Sequence, residues 1–319
     1  MLFLVTGGAG FIGSHLTEKL IADGSRVVCL DNFDEFYSPR IKRRNIRDFL
    51  SKDSYDLVEG DVRDRQLLED LFSRYNFDCV VHLAAKAGVR PSIQDPHLYA
   101  DVNINGTLSL LECIKNKKLK KFIFASSSSV YGNRNMMPFK EDDKVDTPIS
   151  PYGATKKAGE VFCYNYHSLY GIPMVLLRFF TVYGPRQRPE MAIHKFTRMI
   201  DNGEEVPVFG SGTSKRDYTY IDDIIEGVLR CIDLDADYEI FNLGCSRTIN
   251  IKYLIEVIAE SIGKKARIKY LKPQPGDVEM TFADIHKAQK LLNYKPGTQL
   301  EVGIMNFISW YKEVKEDLC

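Results

Sequence analysis

Two side chains near the middle of the chain have the types and spacing of an acid–base pair. Tyr152 and Lys156, in Ser150-Pro151-Tyr152-Gly153-Ala154-Thr155-Lys156, are four apart, which places them on one helix face. An ammonium beside a phenol favours the phenolate, so Tyr152 reads as a base near neutral pH. Four successive hydroxyls, Ser126, Ser127, Ser128 and Ser129, follow the apolar run Lys121–Ala125. At the start of the chain Gly7, Gly10 and Gly13 recur at three-residue spacing, and Asp31 follows about 20 residues on. That pattern suits a dinucleotide: a tight turn at Gly7, close approach of a pyrophosphate at Gly10, close helix–strand packing at Gly13, and a ribose acceptor at Asp31. The charge of Asp31 repels a 2′-phosphate, so NAD is favoured over NADP. Arg26 and Arg40 are nearby cations, but neither directly follows Asp31.

These groups need elements to hold them. Leu2–Val5, Val27–Leu30, Tyr55–Glu59, Asp78–Ala84, Lys121–Ala125 and Pro173–Arg178 read as six strands. Helices are expected over Phe11–Ala22, Arg63–Tyr75, Pro96–Lys115 and from Ser150 to about Tyr170. Asp61 has two readings, an adenine contact and an N-cap for the Arg63–Tyr75 helix. The small residues after the fourth strand, Ala84 to Gly88, suit backbone lying against a cofactor. Arg90 beyond them reads equally as a phosphate or carboxylate contact and as a surface ion pair. Lys42, Arg43, Arg44 and Arg47 read as a solvated helix face. The alternation predicts an α/β fold, a Rossmann-like doubly wound parallel sheet with a smaller α/β C-terminal substrate domain. Residues 1–178 form the NAD-binding domain, with 217–245 packing back on it. Residues 179–216 and 246–319 are expected to form the smaller substrate domain.

Composition narrows the function. The 319 residues carry 43 basic and 43 acidic side chains, a formal net charge of zero. That balance argues against nucleic acid or a membrane surface as partner. The 7 cysteines show no CxxC pair and no zinc spacing, so no metal is expected, and they read as reduced thiols of a cytoplasmic protein. The first strand begins at Leu2, which leaves no room for a signal peptide. No apolar run is long enough to cross a bilayer.

Taken together, TGGAGFIGSH, HLAAKAGVRPS, ASSSSVYG, SPYGATK, LRFFTVYGPR and RDYTYIDD resemble the extended short-chain dehydrogenase/reductases, the NAD-dependent epimerase/dehydratase group that acts on nucleotide sugars with tightly held NAD. The resemblance implies a catalytic trio of Ser127, Tyr152 and Lys156. It implies cofactor contacts at Gly7, Gly10, Phe11, Ile12, Gly13, Asp31, Asn32, Asp61 and Val62. Leu83, Ala84, Ala85, Lys86, Asn103, Tyr152, Lys156 and Phe179 complete that set.

Departures inside the serine motif select a branch. Family 4,6-dehydratases carry Asp-Glu just before VYG, and UDP-glucuronate decarboxylases usually carry Glu at the second position. Here Ser128 and Ser129 stand there, which favours a 4-epimerase. DNFDEFYSPRIKRRNI, FTVYGPRQRPEMA and QPGDV resemble UDP-glucuronate 4-epimerases in particular. The implied substrate contacts are Arg90, Ser127, Ser128, Thr181, Arg188, Val208, Phe209, Arg216 and Asp277, with Thr181 and Arg188 as donors to a sugar carboxylate; Arg188 reads equally as a phosphate contact or a structural ion pair. Alternatives are a neutral-sugar 4-epimerase, then a decarboxylase or a non-catalytic NAD-binding protein. The family also implies a homodimer built on the helices starting near Pro96 and Gly153, with Leu108, Leu111, Val161 and Tyr164 as apolar positions.

Overall fold

The computed structural model describes residues 1–134, 136–272 and 279–316. In chain order the first half runs β1 (Leu2–Thr6), α1 (Phe11–Ala22), β2 (Arg26–Asp31), α2 (Pro39–Ile46), β3 (Tyr55–Glu59), α3 (Arg65–Arg74) and β4 (Cys79–His82). Then come α4 (Val89–Gln94), α5 (Pro96–Ala100), α6 (Gly106–Ile114), β5 (Lys121–Ser127), α7 (Pro151–Tyr170) and β6 (Met174–Phe179). The second half holds β7 (Thr181–Tyr183), α8 (Ala192–Asp201), β8 (Glu205–Phe209), β9 (Lys215–Tyr220), α9 (Ile221–Ile232), β10 (Tyr238–Leu243) and β11 (Thr248–Asn250). It closes with α10 (Ile251–Ile262), β12 (Arg267–Leu271), α11 (His286–Leu292) and α12 (Leu300–Val314).

Seven strands form one parallel sheet in the order β10-β6-β5-β4-β1-β2-β3. The six expected strands are all in it, and β10 is the seventh. Their residues are apolar on both faces, as a sheet covered on both sides requires. The direction of winding reverses between β1 and β4, and in such sheets ligands bind beyond the strand ends at that reversal. Smaller sheets, β11-β9-β7 and β12-β8, lie in the C-terminal half.

Local structure departs from expectation at several points. The run expected as one helix over Pro96–Lys115 is continuous, but it carries a π segment at Asp101–Asn105 between α5 and α6. Helix α3 starts two residues later than expected because Asp64, not Asp61, caps it, its Oδ1 accepting from the Leu67 amide at 3.1 Å. Asp61 instead pairs with Arg63 at 2.9 Å, which holds its carboxyl near 2. Of the apolar positions on the paired helices, Leu111 lies in the core while Val161 and Tyr164 are exposed.

A buried polar cluster ties α7 to the sheet. Glu160 takes Arg178 Nε at 2.8 Å and Nη2 at 2.9 Å, and accepts from the Ser126 hydroxyl at 2.6 Å. Arg178 Nη1 reaches the Tyr131 hydroxyl at 3.0 Å, and Tyr131 donates to Asn242 on β10 at 2.7 Å. Burial alone would raise the Glu160 carboxyl, but the Arg178 hydrogen bonds and charge bring it below the usual range. Glu160→Gln leaves the Arg178 cation in the core without its counter-charge. The expected cost is about 3–5 kcal/mol of folding stability, measured by urea denaturation.

Candidate active site

The cavity opens at the carboxyl ends of β1, β4, β5 and β6, around the winding reversal. Its floor is the β1–α1 turn. Gly7 has φ +70°, and a Cβ there would lie 2.8 Å from the Ala84 amide nitrogen. A Cβ on Gly13 would lie 2.3 Å from the Gly7 carbonyl oxygen. Helix α1 begins at an N-cap glycine, Gly10, with no side chain accepting from its first-turn amides. Those amides and the helix dipole are left to an anion at the cavity edge. Asp31, at the end of β2, lines the same cavity. Its Oδ1 accepts from the Phe33 amide and Lys42, and its Oδ2 from the Ala9 amide. The floor and the acid fit NAD, with no side chain filling the pyrophosphate position.

The wall after β4 is held by a hydrogen-bond chain whose direction is fixed. The Thr107 hydroxyl donates to the Asn103 carbonyl at 2.7 Å, so it accepts from His82 Nε2 at 3.0 Å. His82 Nδ1 then accepts from the Thr6 hydroxyl at 2.7 Å, whose oxygen takes the Ala84 amide at 3.3 Å. His82 is locked neutral, and burial pushes it down to about 3. The Asn103 side chain grips the Lys86 backbone through both its atoms, at 2.8 and 3.0 Å, and donates to the Thr155 hydroxyl. Asn103 therefore shapes the wall without lining the cavity.

Helix α7 brings Tyr152 and Lys156 against the end of β5. The Ser127 hydroxyl hydrogen-bonds the Tyr152 oxygen, and Lys156 Nζ donates to the Ala125 carbonyl at 2.7 Å. Burial lowers Lys156 to about 8. Contrary to the expectation of a phenol lowered toward neutral pH, burial raises Tyr152 above its ordinary value, and the Ser127 hydrogen bond and the Arg188 charge offset only part of that rise. The expected counter-charge on Tyr152 was Lys156; in the structure the cation acting on the phenol is Arg188, from the loop after β7, and Lys156 is turned to the Ala125 carbonyl. The Tyr99 ring meets Tyr152 edge-on at 6.3 Å and its hydroxyl donates to the Ala87 carbonyl at 2.6 Å.

Of the residues read from the sequence, Gly7, Gly10, Phe11, Ile12, Gly13, Asp31 and Asn32 line this cavity. So do Val62, Leu83, Ala84, Ala85, Lys86, Ser127, Ser128, Tyr152, Lys156, Phe179, Thr181 and Arg188. Ser129 lines it too, so neither position before VYG presents a carboxylate. Asp61, Asn103, Arg90, Val208, Phe209 and Arg216 do not line it. Arg90 lies over the Phe209 ring at 4.5 Å. Val208 faces the core, and Arg216 donates to the Lys215 and Glu279 carbonyls. Asp277 and the 274–278 stretch lie outside the described residues. Lys42 is buried against Asp31 at 3.3 Å instead of lying on a solvated face. Asp34, Phe36 and Tyr37, in the segment between β2 and α2, also line the cavity. Asp34 takes Lys86 Nζ at 2.6 Å. Their one signal was membership of the DNFDEFYSPRIKRRNI stretch.

Residues 4–307 match the family described as GDP-mannose 4,6 dehydratase. The chain belongs to this epimerase/dehydratase family. Within the family it is 43% identical over 312 residues to a UDP-glucuronate 4-epimerase of Thermodesulfobacterium geofontis, covering 98% of this chain and 96% of that one. The crystal structure of UDP-glucuronic acid 4-epimerase from Bacillus cereus, in complex with UDP-glucuronic acid and NAD, superposes with a TM-score of 0.94. It is 39% identical and covers 98% of this chain and 100% of that one. UDP-glucose 4-epimerase of Thermotoga maritima with UDP-glucose gives 0.91 at 35% identity, covering 99% and 100%. Among the described residues no helix is long and apolar enough to cross a membrane, and no group of acids, histidines and cysteines has the makings of a metal site.

Gly13→Ala forces a methyl into the Gly7 backbone at the cofactor floor. Purified Gly13→Ala protein is expected to carry little or no NAD, read as the nucleotide absorbance released on denaturation. His82 and His194 stay neutral in the fold, near 3 and 4 through burial, while the unfolded chain binds protons below about pH 6.5. Each therefore removes about 1.4 kcal/mol of stability per pH unit as pH falls from 6.5 toward 4.5. Urea midpoints across that range should fall, and His194→Gln should flatten the slope by one site.

Proposed function

We propose that this chain is an NAD-dependent 4-epimerase that interconverts UDP-glucuronate and UDP-galacturonate through a 4-keto sugar. The observation that carries the reading is the guanidinium of Arg188 in the same cavity as Tyr152, beside Thr181, with no carboxylate at Ser128 or Ser129. A cation and a hydroxyl suit the C5 carboxylate of a uronate. Elimination of water, the dehydratase step, needs an acid that positions 128 and 129 do not offer.

In this reading Tyr152 takes the proton of the sugar 4-hydroxyl as C4 is oxidised. The burial that raises its phenol is opposed by Ser127 and by Arg188. Bound NAD supplies the hydride acceptor at C4 and returns the hydride to the opposite face after the keto sugar turns. Ser127 holds the O4 atom through both half-reactions and passes the proton between O4 and Tyr152. Lys156, fixed by the Ala125 carbonyl, presents its ammonium to the nicotinamide ribose. Charge balances over the cycle, and the net change is inversion at C4. A 4-keto uronate is a β-keto acid and loses CO₂ readily. Thr181 and Arg188 hold its carboxylate so that this loss is disfavoured.

The remaining assignments follow the same reading. Residues 1–178 with 217–245 hold the cofactor, and 179–216 with 246–319 hold the nucleotide. Strand β10, paired parallel to β6, supports placing 217–245 with the first part. Arg90, Phe209 and Arg216, which lie outside the main cavity, contact the UDP half, and Asp277 is assigned to it by motif alone. Two copies pair through α7 and the α5–α6 segment, for which exposed Val161 and Tyr164 offer an apolar face. The six described cysteines are free thiols, in keeping with a cytoplasmic enzyme.

The test is Arg188→Ala assayed with UDP-glucuronate and UDP-glucose, products resolved by NMR. Loss of a charge-assisted pair predicts about a 10- to 100-fold lower kcat/KM for the uronate and more UDP-pentose by-product. Unchanged uronate turnover with no added pentose sinks the carboxylate role, and turnover of UDP-glucose alone by the wild type moves the assignment to a neutral-sugar epimerase.

A further inference from the structure

The Arg188 backbone is fixed before any ligand arrives. Gln187, fully buried, donates from Nε2 to the Val182 carbonyl at 3.1 Å and accepts the His194 amide at 3.2 Å. His194 Nδ1 donates to the Gln187 carbonyl at 2.6 Å, and the Met191 amide closes on the Arg188 carbonyl at 3.1 Å. One step upstream, His15 on α1 reaches the Pro185 carbonyl at 2.9 Å and Glu18 pairs with Arg186 at 2.7 Å. What remains free is the Arg188 side chain, whose rotamer entropy is about 2 kcal/mol.

Two neighbours restrict that side chain. Glu190 Oε1 lies 3.1 Å from Arg188 Nε. The Phe36 ring lies 5.9 Å from Arg188 Cζ and 5.7 Å from Lys86 Nζ, so one aromatic serves two cavity cations. Lys86 is itself tied to Asp34 at 2.6 Å. The Tyr152 hydroxyl feels the Arg188 charge, whereas Tyr37 and Tyr99 feel Arg188 and Glu190 together. Arg188 thus acts on the base, and the Arg188–Glu190 pair lies within electrostatic reach of Tyr99, which packs on Tyr152.

We infer that Glu190 and Phe36 are positioning residues that aim the Arg188 guanidinium, so that a sugar carboxylate meets its Nη1–Nη2 edge end-on. The inference rests on the uronate reading above. Glu190 pairs with Nε at 3.1 Å, and a guanidinium offers a planar anion two bidentate edges that include Nη2, one shared with Nε and one with Nη1. Phe36 lies within cation–π range of the same guanidinium. The edge left over is the pair of terminal nitrogens. End-on docking sets how far the carboxylate stands from C4, and hence how well its C–C bond is kept from the alignment that releases CO₂. Phe36 follows Asp31 by five residues, so the loop that borders the expected ribose site also sets the uronate clamp.

The test compares Glu190→Ala, Glu190→Gln, Phe36→Leu and Arg188→Ala, each as the NAD-bound protein turning over UDP-glucuronate. KM, kcat and the share of product that is UDP-pentose are read together. Glu190→Ala and Phe36→Leu are expected to raise KM roughly three- to tenfold and to raise the pentose share, because the fork is present but misaimed. Glu190→Gln keeps an oxygen at the Nε edge and should recover most of both. Wild-type KM and pentose share in Glu190→Ala and Phe36→Leu, with Arg188→Ala impaired, overturn the positioning role and leave the uronate reading standing. A fall in KM for Glu190→Ala also overturns it, since Glu190 would then compete with the substrate. An Arg188→Ala protein that behaves as wild type overturns both.

Discussion

Glu160 and Arg178 have given up water for each other in the middle of the protein, and three parts of the active site hang from that exchange. Glu160 sits one turn beyond Lys156 on α7. Its carboxylate also takes the hydroxyl of Ser126, the residue before Ser127, and Arg178 is the residue before Phe179. One ion pair therefore registers the helix of the base, the strand of the serine and the strand that leads into the substrate loop. Desolvating two charges is expensive, and the pair is tolerable because its remaining hydrogen-bond capacity is used: the Ser126 hydroxyl donates to Glu160, while the Tyr131 oxygen and the Glu141 carbonyl accept from Arg178. Such a cluster is weak as a source of net stability and strong as a specifier of geometry, which is what a base, a hydroxyl and a cofactor edge require.

The second organising feature is directional. From Asn103 through Thr107, His82 and Thr6 to Ala84, each donor has one acceptor, and no proton is free to move. The π-turn at Asp101–Asn105 makes this possible. The extra residue in the turn lets Asn103 reach the Lys86 backbone and Thr155 from one position. The wall facing the cofactor is therefore built from backbone held at fixed distance, and its small residues Ala84 and Ala85 present no obstruction. The charges inside divide in the same way. Lys156 is brought down to about 8 by burial, so its proton is held less firmly than in water, while the counter-charge on the Tyr152 phenol comes from a different part of the chain.

How much of this was readable in the sequence follows from the range of each signal. The sheet was legible because buried parallel strands are short apolar runs separated by helices, and six of them stood out between residues 2 and 178. The glycines were legible because their roles are local. Tyr152 and Lys156 were legible because one helical turn fixes their relation. The burial of Lys42 was not, because a basic run looks solvated until Asp31 is brought beside it by the sheet. The cap at Asp64 was hidden by Asp61, an equally good cap three residues earlier that Arg63 claims instead. Phe36 and Tyr37 lie in a loop without periodicity, and their places in the cavity lining depend on contacts to residues 50 to 150 positions away. Arg90, Phe209 and Arg216 were placed by likeness of motif, and they lie together or apart according to loop paths that no local pattern specifies.

The buried amide of Gln187 has a consequence for how this site can change over time. Its two hydrogen bonds, to the Val182 carbonyl and from the His194 amide, with a third from the His194 ring to the Gln187 main-chain carbonyl, measure a fixed length of chain between β7 and α8. A residue inserted or deleted there strands a primary amide in a dry interior. Loop length, the usual means by which related enzymes acquire new substrates, is thereby closed off on this side of the pocket. New sugars must be accommodated by exchanging the side chains at 181, 188, 190 and 191 on an unchanged backbone, which makes this stretch a place where specificity drifts by substitution alone.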